Sequence, residues 1–507
     1  MLNWLKRNWL LVTILLLALF FRLYRLEATM TFLEDEGRDL LIVKRMIDTG
    51  RPVLLGPQTS TGNMYLGPIY YYFITPALVL AGMNPVGPAV LIALTGVLTT
   101  YLLYYLGKKW FSDRAGYFAA AMFAILPMSV MVTRASWNPN LVPLITTLML
   151  LVFSRLISGK YSWENWIFYG MLVGIMVQLH YMALIFCGVL SLVLAWHNRS
   201  EFKQLMRGVI LSFIGAIIML SPFIVFEIRN NWVNTKAITR FMEAKEERNI
   251  RYDLPAWLWW DKVGTTSYRL IGNTFTGSAL PSLSNNVAVG IYFSLLTLGL
   301  IFAIKQNNRV FLSLIAVLLL SLAVLGIYQE NIHLHYIEFA LPLIFLCLAG
   351  LYSLTKTLIW RRLLTLTFVG ALFLGGYRSA LYLGSGANHQ AKKARDVADY
   401  IVSRSGGDPY NVVSTQGMYT TPFQYFLAVS DHPPVSTLAK RVFDICAGSP
   451  CPPDDATTTL LFLTGPGHPA IANYLGHPEL NSFDGKRKMV SNEHVSVGIW
   501  VAEIVLE

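Results

Sequence analysis

Long apolar stretches alternate with short polar loops along most of the chain. Apolar runs of about 18 to 22 residues, long enough to cross a bilayer as helices, recur between Trp9 and about Leu383. Hydrophobic residues make up 54% of the chain and charged residues only 14%. We therefore predict an α-helical polytopic membrane protein with about 11 transmembrane helices. The predicted spans are roughly 9–26, 87–107, 115–133, 139–157, 166–180, 182–197, 208–228, 287–304, 309–328, 337–356 and 363–383.

Basic residues in the short loops predict the orientation. Placing these loops in the cytoplasm puts the amino terminus inside and the carboxyl terminus outside. This orientation fixes whether the number of crossings between successive basic loops is odd or even. It therefore requires 67–82 to be an interfacial or re-entrant helix, with Tyr70, Tyr71 and Tyr72 at headgroup depth. It also requires 166–197 to form two short helices that meet near His180. The net charge of +11 lies mostly in these loops, so we expect membrane lipids and not nucleic acid as partners. The loop cations are Lys108, Lys109, Arg114, Lys160, Arg199, Lys203, Arg207, Lys305, Arg309, Lys356, Arg361 and Arg362.

The polar segments outside the spans suggest two domains. Residues 1–386 would form the transmembrane domain, with long extracytoplasmic loops at 27–86 and 229–286. Residues 387–507 would form a small extracytoplasmic α/β domain. Its predicted elements are a helix at 391–404 and strands at 411–414, 458–464 and 495–505.

Four cysteines occur, and Cys446 and Cys451 lie in a Gly-Ser-Pro turn of the carboxyl-terminal region. Outside the cytoplasm an oxidised pair would brace this turn, and free thiols are equally compatible with the spacing. No glycine-rich phosphate loop and no H-E-x-x-H motif is present in the sequence. The sequence therefore does not support a soluble nucleotide-binding site.

A cluster of charged residues directly follows the first span: Glu34-Asp35-Glu36-Gly37-Arg38-Asp39. The next residues have apolar positions at helical spacing, which predicts an amphipathic helix over 37–48 on the membrane surface. Acidic residues beside a bilayer are costly, so Asp35 and Glu36 are candidate catalytic groups. The alternative interpretation is that Asp35 only caps this helix.

Other polar residues collect on the same predicted face. Arg134 is a candidate phosphate ligand or a cation that snorkels to the interface. Two His-Tyr pairs, at His180 and at His335-Tyr336, share this face, although such residues often have only structural roles. The hydroxyl-rich loop at 55–68, which also carries amide groups and has aromatic residues close behind, would suit a sugar or would simply be solvated. The candidates for contacts with sugar or acceptor are Trp137, Asn138, Asn140, Gln58, Asn63, Tyr65 and Tyr70.

The order of these features resembles a known family. An acidic pair after the first span, an aromatic helix after Gly67-Pro68, a basic turn at 108–109 and the loop Arg134-x-x-Trp137-Asn-Pro-Asn are similar to C-type membrane glycosyltransferases (GT-C). The family is family 39, the bacterial branch of the protein O-mannosyltransferase and aminoarabinose transferase superfamily. The resemblance covers roughly 1–385 and is most specific in 35–72 and 133–143.

This resemblance implies an inverting transfer of a monosaccharide from a polyprenyl phosphate at the extracytoplasmic face of the bacterial inner membrane. Asp35 would be the general base for the acceptor hydroxyl, and Glu36 would assist it. Arg134 and Arg38 would bind the donor phosphate, with His180, His335 and Tyr336 as further candidates.

The chain departs from its relatives at one position. Several relatives carry a second acidic residue in the loop where this chain has Asn138 and Asn140, and an asparagine cannot act as a base. Some relatives bind a divalent ion near the acidic loop, but no residues here have convincing ligand spacing, and a metal cofactor stays open.

Three functional alternatives remain at this stage. A polymerase or ligase acting on lipid-linked oligosaccharides would use the same face. A lipid or sugar transporter would use Asp35 and Glu36 to gate its substrate. A scaffold would depend on its carboxyl-terminal region. The sequence identifies neither the donor sugar nor the acceptor, which could be a glycan, a lipid or a protein.

Overall fold

A computed structural model gives the architecture of the chain. The residues that it describes are 6–59, 64–243, 256–277, 299, 301–328, 332–385, 387–408, 410–414, 420–430, 460–465, 487–496 and 499–506.

Helices dominate the structure, as the apolar runs predict. The α-helices are α1 Trp9–Leu23, α2 Leu26–Thr29, α3 Glu34–Thr49, α4 Ile69–Leu80, α5 Val86–Trp110, α6 Asp113–Ile125, α7 Pro127–Met131, α8 Val142–Leu156, α9 Trp163–Leu179, α10 Ala183–His197, α11 Phe202–Arg229, α12 Val233–Glu243, α13 Ala256–Thr276, α14 Arg309–Leu325, α15 Ala340–Leu354, α16 Leu358–Ser385, α17 Gln390–Ser405 and α18 Thr420–Val429. Two 3₁₀ turns, Asn138–Leu141 and Leu334–Tyr336, precede α8 and α15. The predicted fold class, a helical membrane protein with a small α/β region, is confirmed.

The described helices overlap the predicted spans, but the span predicted at 115–133 is broken at Leu126 into α6 and α7. Within the described ranges, four helices are long and apolar enough to cross a membrane: α5, the continuous segment Asn138–Leu156, α11 and α16. The chain is therefore a multi-pass membrane protein. The helical break predicted near His180 is confirmed, because α9 ends at Leu179 and α10 begins at Ala183. The predicted span at 287–304 lies mostly outside the described residues.

Helix α4 carries the three tyrosines Tyr70, Tyr71 and Tyr72. Helix α4 has only 12 residues, which is too short for a full crossing. However, Tyr70 and Tyr71 are fully buried within the protein. Their position at headgroup depth stays a prediction.

The chain divides into two compact units. The first, here called the helical unit, comprises Met1–Tyr24, Val53–Phe73 and Val90–Gly386. The second, here called the mixed unit, comprises Arg25–Pro52, Ile74–Ala89 and Ala387–Glu507. The acidic segment thus groups with the carboxyl-terminal region.

Close helix packing in the helical unit depends on glycine. A Cβ atom on Gly170 of α9 would lie 1.8 Å from the Ser212 carbonyl oxygen, and one on Gly215 of α11 would lie 2.1 Å from the Ile167 carbonyl oxygen. Small residues let transmembrane helices approach until their backbones touch. Helices α9 and α11 are therefore held at backbone contact from both sides.

A buried arginine stabilises a broken helix in the same unit. Pro127 starts α7 and has no N–H, so the Phe123 carbonyl at the end of α6 lacks its usual helical donor. Arg22 of α1 supplies donors instead, at 2.9 Å to the Phe123 oxygen and 3.1 Å to the Ala124 oxygen. Arg22 is fully buried, and it fixes α1 against the α6–α7 junction.

The mixed unit contains a four-stranded sheet. Its strands are β1 Tyr410–Ser414, β2 Leu460–Gly465, β3 Arg487–Ser496 and β4 Ile499–Leu506, in the order β1-β2-β4-β3. Strands β1 and β2 are parallel, whereas β4 is antiparallel to both of its neighbours. The predicted helix at 391–404 corresponds to α17, but α18 and β3 were not predicted.

Candidate active site

The charged segment at the start of α3 forms an ion-pair network within the mixed unit. Arg38 Nη1 donates to Asp35 Oδ1 at 2.8 Å, and Arg38 Nη2 donates to Asp39 Oδ1 at 2.8 Å. The Asp39 side chain is 1% exposed, whereas that of Asp35 is 45% exposed. Arg38 therefore orients Asp35 while leaving its carboxylate accessible. The resemblance implies that Arg38 binds a donor phosphate, but its guanidinium already donates to two carboxylates.

Glu36 has a structural role at the same helix end. Its Oε2 atom accepts a 3.0 Å hydrogen bond from the backbone N–H of Leu33, which satisfies a donor just before α3. The carboxyl group is buried, and burial raises the pKa of Glu36 to about 7, although the hydrogen bond from Leu33 acts in the opposite direction. The capping role considered for Asp35 therefore belongs to Glu36.

Three turns bring imidazole and aromatic side chains together in the helical unit. This imidazole cluster consists of Trp137, His180, His333, His335 and Tyr336. The His335 ring centroid lies 4.5 Å from that of Trp137 and 5.4 Å from that of His180. The Tyr336 centroid lies 4.9 Å from that of His180, and the His333 centroid lies 5.5 Å from that of His335. Four residues that the sequence analysis proposed as candidates thus lie together in the structure: Trp137, His180, His335 and Tyr336.

Hydrogen bonding and burial determine the protonation of His180 and His335. His180 Nδ1 accepts from the Met182 backbone N–H at 3.2 Å, so the hydrogen of the neutral ring lies on Nε2. Burial lowers the pKa of His180 to about 4. Burial, and then the nearby His180 and His333, lower the pKa of His335 to about 3. At neutral pH both rings are uncharged, and each offers one N–H donor.

The polar residues around Trp137 support its loop. Asn138 Nδ2 donates to the Leu179 carbonyl at 2.6 Å, and Asn140 Nδ2 donates to the Ala135 carbonyl at 2.8 Å. Tyr70 Oη lies 2.8 Å from Ser136 Oγ. All three side chains are buried. These contacts place Asn138, Asn140 and Tyr70 in the scaffold of the loop, although they were predicted to contact sugar or acceptor.

The Arg134 side chain binds backbone carbonyl groups at the end of α1. Its Nη1 donates to the carbonyls of Phe21 at 2.6 Å and Arg22 at 2.8 Å, and its Nη2 donates to the Tyr24 carbonyl at 2.9 Å. The last carbonyls of a helix lack internal partners and favour a cation. Arg134 is 1% exposed, so the observed contacts are those of a buried helix cap and neither of a phosphate site nor of a snorkelling side chain.

The hydroxyl-rich loop folds back on itself as a hairpin. The Gly56 N–H donates to the Leu66 carbonyl at 2.8 Å, and the Thr59 N–H donates to the Met64 carbonyl at 2.8 Å. Gln58 lies opposite Tyr65 in this pairing and is exposed. Asn63, another predicted sugar contact, lies outside the described residues.

A polar clamp holds this hairpin at Tyr65. Asn234 Oδ1 accepts from the Tyr65 N–H at 2.7 Å, and Asn234 Nδ2 donates to the Tyr65 carbonyl at 3.1 Å. The Tyr181 hydroxyl donates to the same carbonyl at 2.5 Å. The buried carboxylate of Glu227 accepts from the backbone N–H groups of Asn234 and Thr235 at 3.1 and 2.7 Å. Glu227 therefore fixes the position of Asn234.

Sequence reasoning missed Glu227, Asn234 and the contribution of His333. A lone carboxylate at the end of the apolar span α11 was the available signal for Glu227. Among the described residues, no group of three or more His, Cys, Asp or Glu side chains is arranged to hold a metal ion. Cys446 and Cys451 lie outside the described residues, so the choice between an oxidised pair and free thiols stays open.

One protein family and several solved structures are similar to this chain. The family described as dolichyl-phosphate-mannose-protein mannosyltransferase matches residues 66–226. This match includes the imidazole-bearing turn at His180 and the loop around Trp137, but not the acidic segment. No curated protein sequence matches the chain.

Solved structures resemble the chain over nearly its whole length. The crystal structure of ArnT from Cupriavidus metallidurans bound to undecaprenyl phosphate is 12% identical, with 98% of each chain covered and a TM-score of 0.64. The apo form of the same protein is 13% identical, with 98% of each chain covered and a TM-score of 0.63. The Archaeoglobus fulgidus oligosaccharyltransferase in complex with Zn and sulfate is 13% identical and has a TM-score of 0.52, with 84% of this chain and 62% of that chain covered. The chain therefore has the GT-C fold, and the resemblance to C-type membrane glycosyltransferases is confirmed.

Proposed function

We propose that the protein is an inverting glycosyltransferase that moves a monosaccharide from a polyprenyl phosphate to an extracytoplasmic acceptor. The observation that carries this proposal is the accessible Asp35 carboxylate, oriented by Arg38 at the start of α3. The ArnT structure with undecaprenyl phosphate and the match to a mannosyltransferase family support a donor linked to a lipid phosphate.

In the proposed reaction Asp35 removes the proton from an acceptor hydroxyl. The acceptor oxygen attacks the anomeric carbon from the side opposite the phosphate, and a new glycosidic bond forms with inversion. The bond between the anomeric carbon and the phosphate oxygen breaks, and the electron pair leaves with the polyprenyl phosphate. Glu36 contributes by capping the helix that carries Asp35.

The donor phosphate would be bound by the imidazole cluster. Neutral His180 and His335 each offer one N–H, and Tyr336 beside them stays a further candidate. Trp137 provides an aromatic surface beside His335 for a sugar ring. Gln58 on the exposed hairpin is a candidate contact for donor or acceptor. The engagement of Arg38 and Arg134 within the chain argues against either of them as the main phosphate ligand.

The membrane placement completes the proposal. The positive-inside pattern of the loops supports an inner-membrane protein whose acidic segment and carboxyl-terminal region lie on the extracytoplasmic face. The donor sugar and the acceptor stay open.

A second candidate is a ligase that transfers oligosaccharides from a lipid diphosphate. The fold similarity to the Archaeoglobus fulgidus oligosaccharyltransferase is the observation that favours it. A lipid or sugar transporter that makes no glycosidic bond is a further alternative.

Mass spectrometry of donor turnover separates these candidates. The purified protein in lipid would be given a panel of polyprenyl-phosphate monosaccharides, and in parallel a panel of diphosphate-linked glycans, each with a crude cell-envelope acceptor. Release of polyprenyl phosphate from one monosaccharide donor, with transfer of that sugar to the acceptor, supports the first proposal. Consumption of a diphosphate-linked glycan alone supports the ligase. Absence of any new glycosidic bond contradicts both enzymes.

A further inference from the structure

Helices α3 and α18 of the mixed unit touch at Gly37. A Cβ atom added to Gly37 would lie 2.5 Å from the Pro422 backbone nitrogen and 2.6 Å from the Thr421 carbonyl carbon. Both of these are backbone atoms, so no side-chain rotation can relieve the overlap. Only glycine at this position permits the observed distance between the two helices.

Two hydrogen bonds fix the register of this contact. Thr421 Oγ1 donates to the Glu34 carbonyl oxygen at 2.6 Å, and the Thr421 N–H donates to Glu34 Oε2 at 3.2 Å. The first N–H groups of a helix have no partner within it and favour a negative charge. The Glu34 carboxylate therefore meets the start of α18, where such a donor is available.

Aromatic packing supports the segment that leads into α3. The Phe32 ring centroid lies 6.0 Å from that of Tyr425 and 5.7 Å from that of Phe426, both on α18. The Arg395 guanidinium of α17 lies 5.1 Å from the Phe426 ring centroid. Gln390 Oε1 accepts from the Phe32 N–H at 2.8 Å. The carboxyl-terminal region thus contacts the chain directly before the acidic segment.

We propose that α18 positions Asp35 for the transfer reaction, with Thr421 and Gly37 as positioning residues. This inference rests on the proposed function. Asp35 lies between Glu34, which is bonded to Thr421, and Gly37, which contacts Pro422, so its backbone is held on both sides. The Asp35 side chain remains accessible, and a misplacement of about 1 Å can lower a rate by about 100-fold.

The first test uses the full-length protein with Gly37→Ala. Alanine must push α18 away, and we expect kcat to fall by about 10- to 100-fold while KM for the donor stays within about twofold. Gly188→Ala is the matched control, because Gly188 also lies within a helix but has no atom within 4 Å of an added Cβ. This control carries the same gain in helix propensity and should keep the native kcat.

A second pair of variants keeps the test decisive if Gly37→Ala fails to fold. Thr421→Val removes the hydroxyl donor but keeps the shape of the side chain, and we expect about a tenfold fall in kcat with an unchanged thermal midpoint. Thr421→Ser restores the hydroxyl and should recover most of the activity. A purely structural role would lower the thermal midpoint and the amount of folded protein without this split between kcat and KM.

The outcomes separate this inference from the proposed function. If the native protein releases polyprenyl phosphate from no donor, the proposed function fails, and the inference fails with it. If the native protein turns over and both Gly37→Ala and Thr421→Val keep native kcat, the inference is overturned while the proposed function stands. A rise in KM without a fall in kcat, or equal loss in Thr421→Val and Thr421→Ser, would also overturn it.

Discussion

Arg38 donates a 2.8 Å hydrogen bond to the Asp35 carboxylate from one helical turn away. Arg38 also donates to the buried Asp39, and this second contact restricts the movement of the guanidinium. The Asp35 carboxylate therefore keeps one orientation, although nearly half of the side chain is exposed. A base that must meet a mobile acceptor hydroxyl gains from such a fixed orientation.

This relationship predicts the effect of removing the Arg38 charge. Arg38→Gln should lower kcat by about 10- to 100-fold, because Asp35 loses its orienting partner. Lys44→Gln is the matched control, since it removes the Lys44–Asp48 ion pair on the same helix. Steady-state release of polyprenyl phosphate measures both variants. Equal activity of Arg38→Gln and the native protein would remove Arg38 from the account.

Glu36 predicts a pH dependence of stability. Its folded pKa of about 7 lies above its ordinary value of 4.5, so the folded state binds this proton more tightly than the unfolded state does. The stabilisation from protonated Glu36 is complete below about pH 4.5 and is lost as the pH rises to about 7. By linkage the full effect is on the order of 3 kcal/mol.

Glu36→Gln keeps an oxygen acceptor for the Leu33 N–H but cannot ionise. We expect the thermal midpoint of the native protein to fall relative to that of Glu36→Gln between about pH 5 and pH 7.5. Thermal unfolding in detergent across this range measures the difference. Parallel curves for the two proteins would show that Glu36 does not titrate as described.

The imidazole cluster predicts a binding defect. His335→Asn removes the ring that contacts both Trp137 and His180, and it should raise KM for the donor by about tenfold because phosphate donors are lost. His389→Asn is the control, since His389 is exposed and has a positive φ that asparagine tolerates. Donor titrations distinguish the two, and an unchanged KM in His335→Asn would contradict the assignment of the phosphate to this cluster.

The contacts of Arg22 predict that its substitution lowers the stability of the protein. Arg22→Met leaves the carbonyls of Phe123 and Ala124 without their donors, and we expect a loss of about 3 kcal/mol in the free energy of unfolding. Arg207→Met, at an exposed site on α11, should cost far less. Unfolding midpoints in detergent compare the two variants. A midpoint for Arg22→Met equal to that of Arg207→Met would contradict the bridging role.

Local patterns in the sequence predicted most of the helical architecture. Apolar runs predicted the spans because hydrophobic length is a local property, and the distribution of loop cations required the break between α9 and α10. The acidic segment was likewise found from local charge beside an apolar span.

Contacts between distant residues could not be predicted in this way. Thr421 bonds to Glu34 across 387 residues of sequence, a separation at which no local pattern links the two. The structural roles of Asn138, Asn140 and Arg134 were missed because a polar residue beside a predicted site looks the same whether it binds a substrate or a backbone carbonyl. Only the contacts separate these two uses.

The most direct test of the account compares Asp35→Asn with Asp48→Asn in the transfer assay. Both variants replace an exposed carboxylate of α3 that is paired with a cation one turn away. We predict that Asp35→Asn loses about 100-fold or more in kcat, as expected for a general base, whereas Asp48→Asn stays near the native rate. Equal polyprenyl phosphate release by Asp35→Asn and the native protein would contradict the central claim that Asp35 is the base.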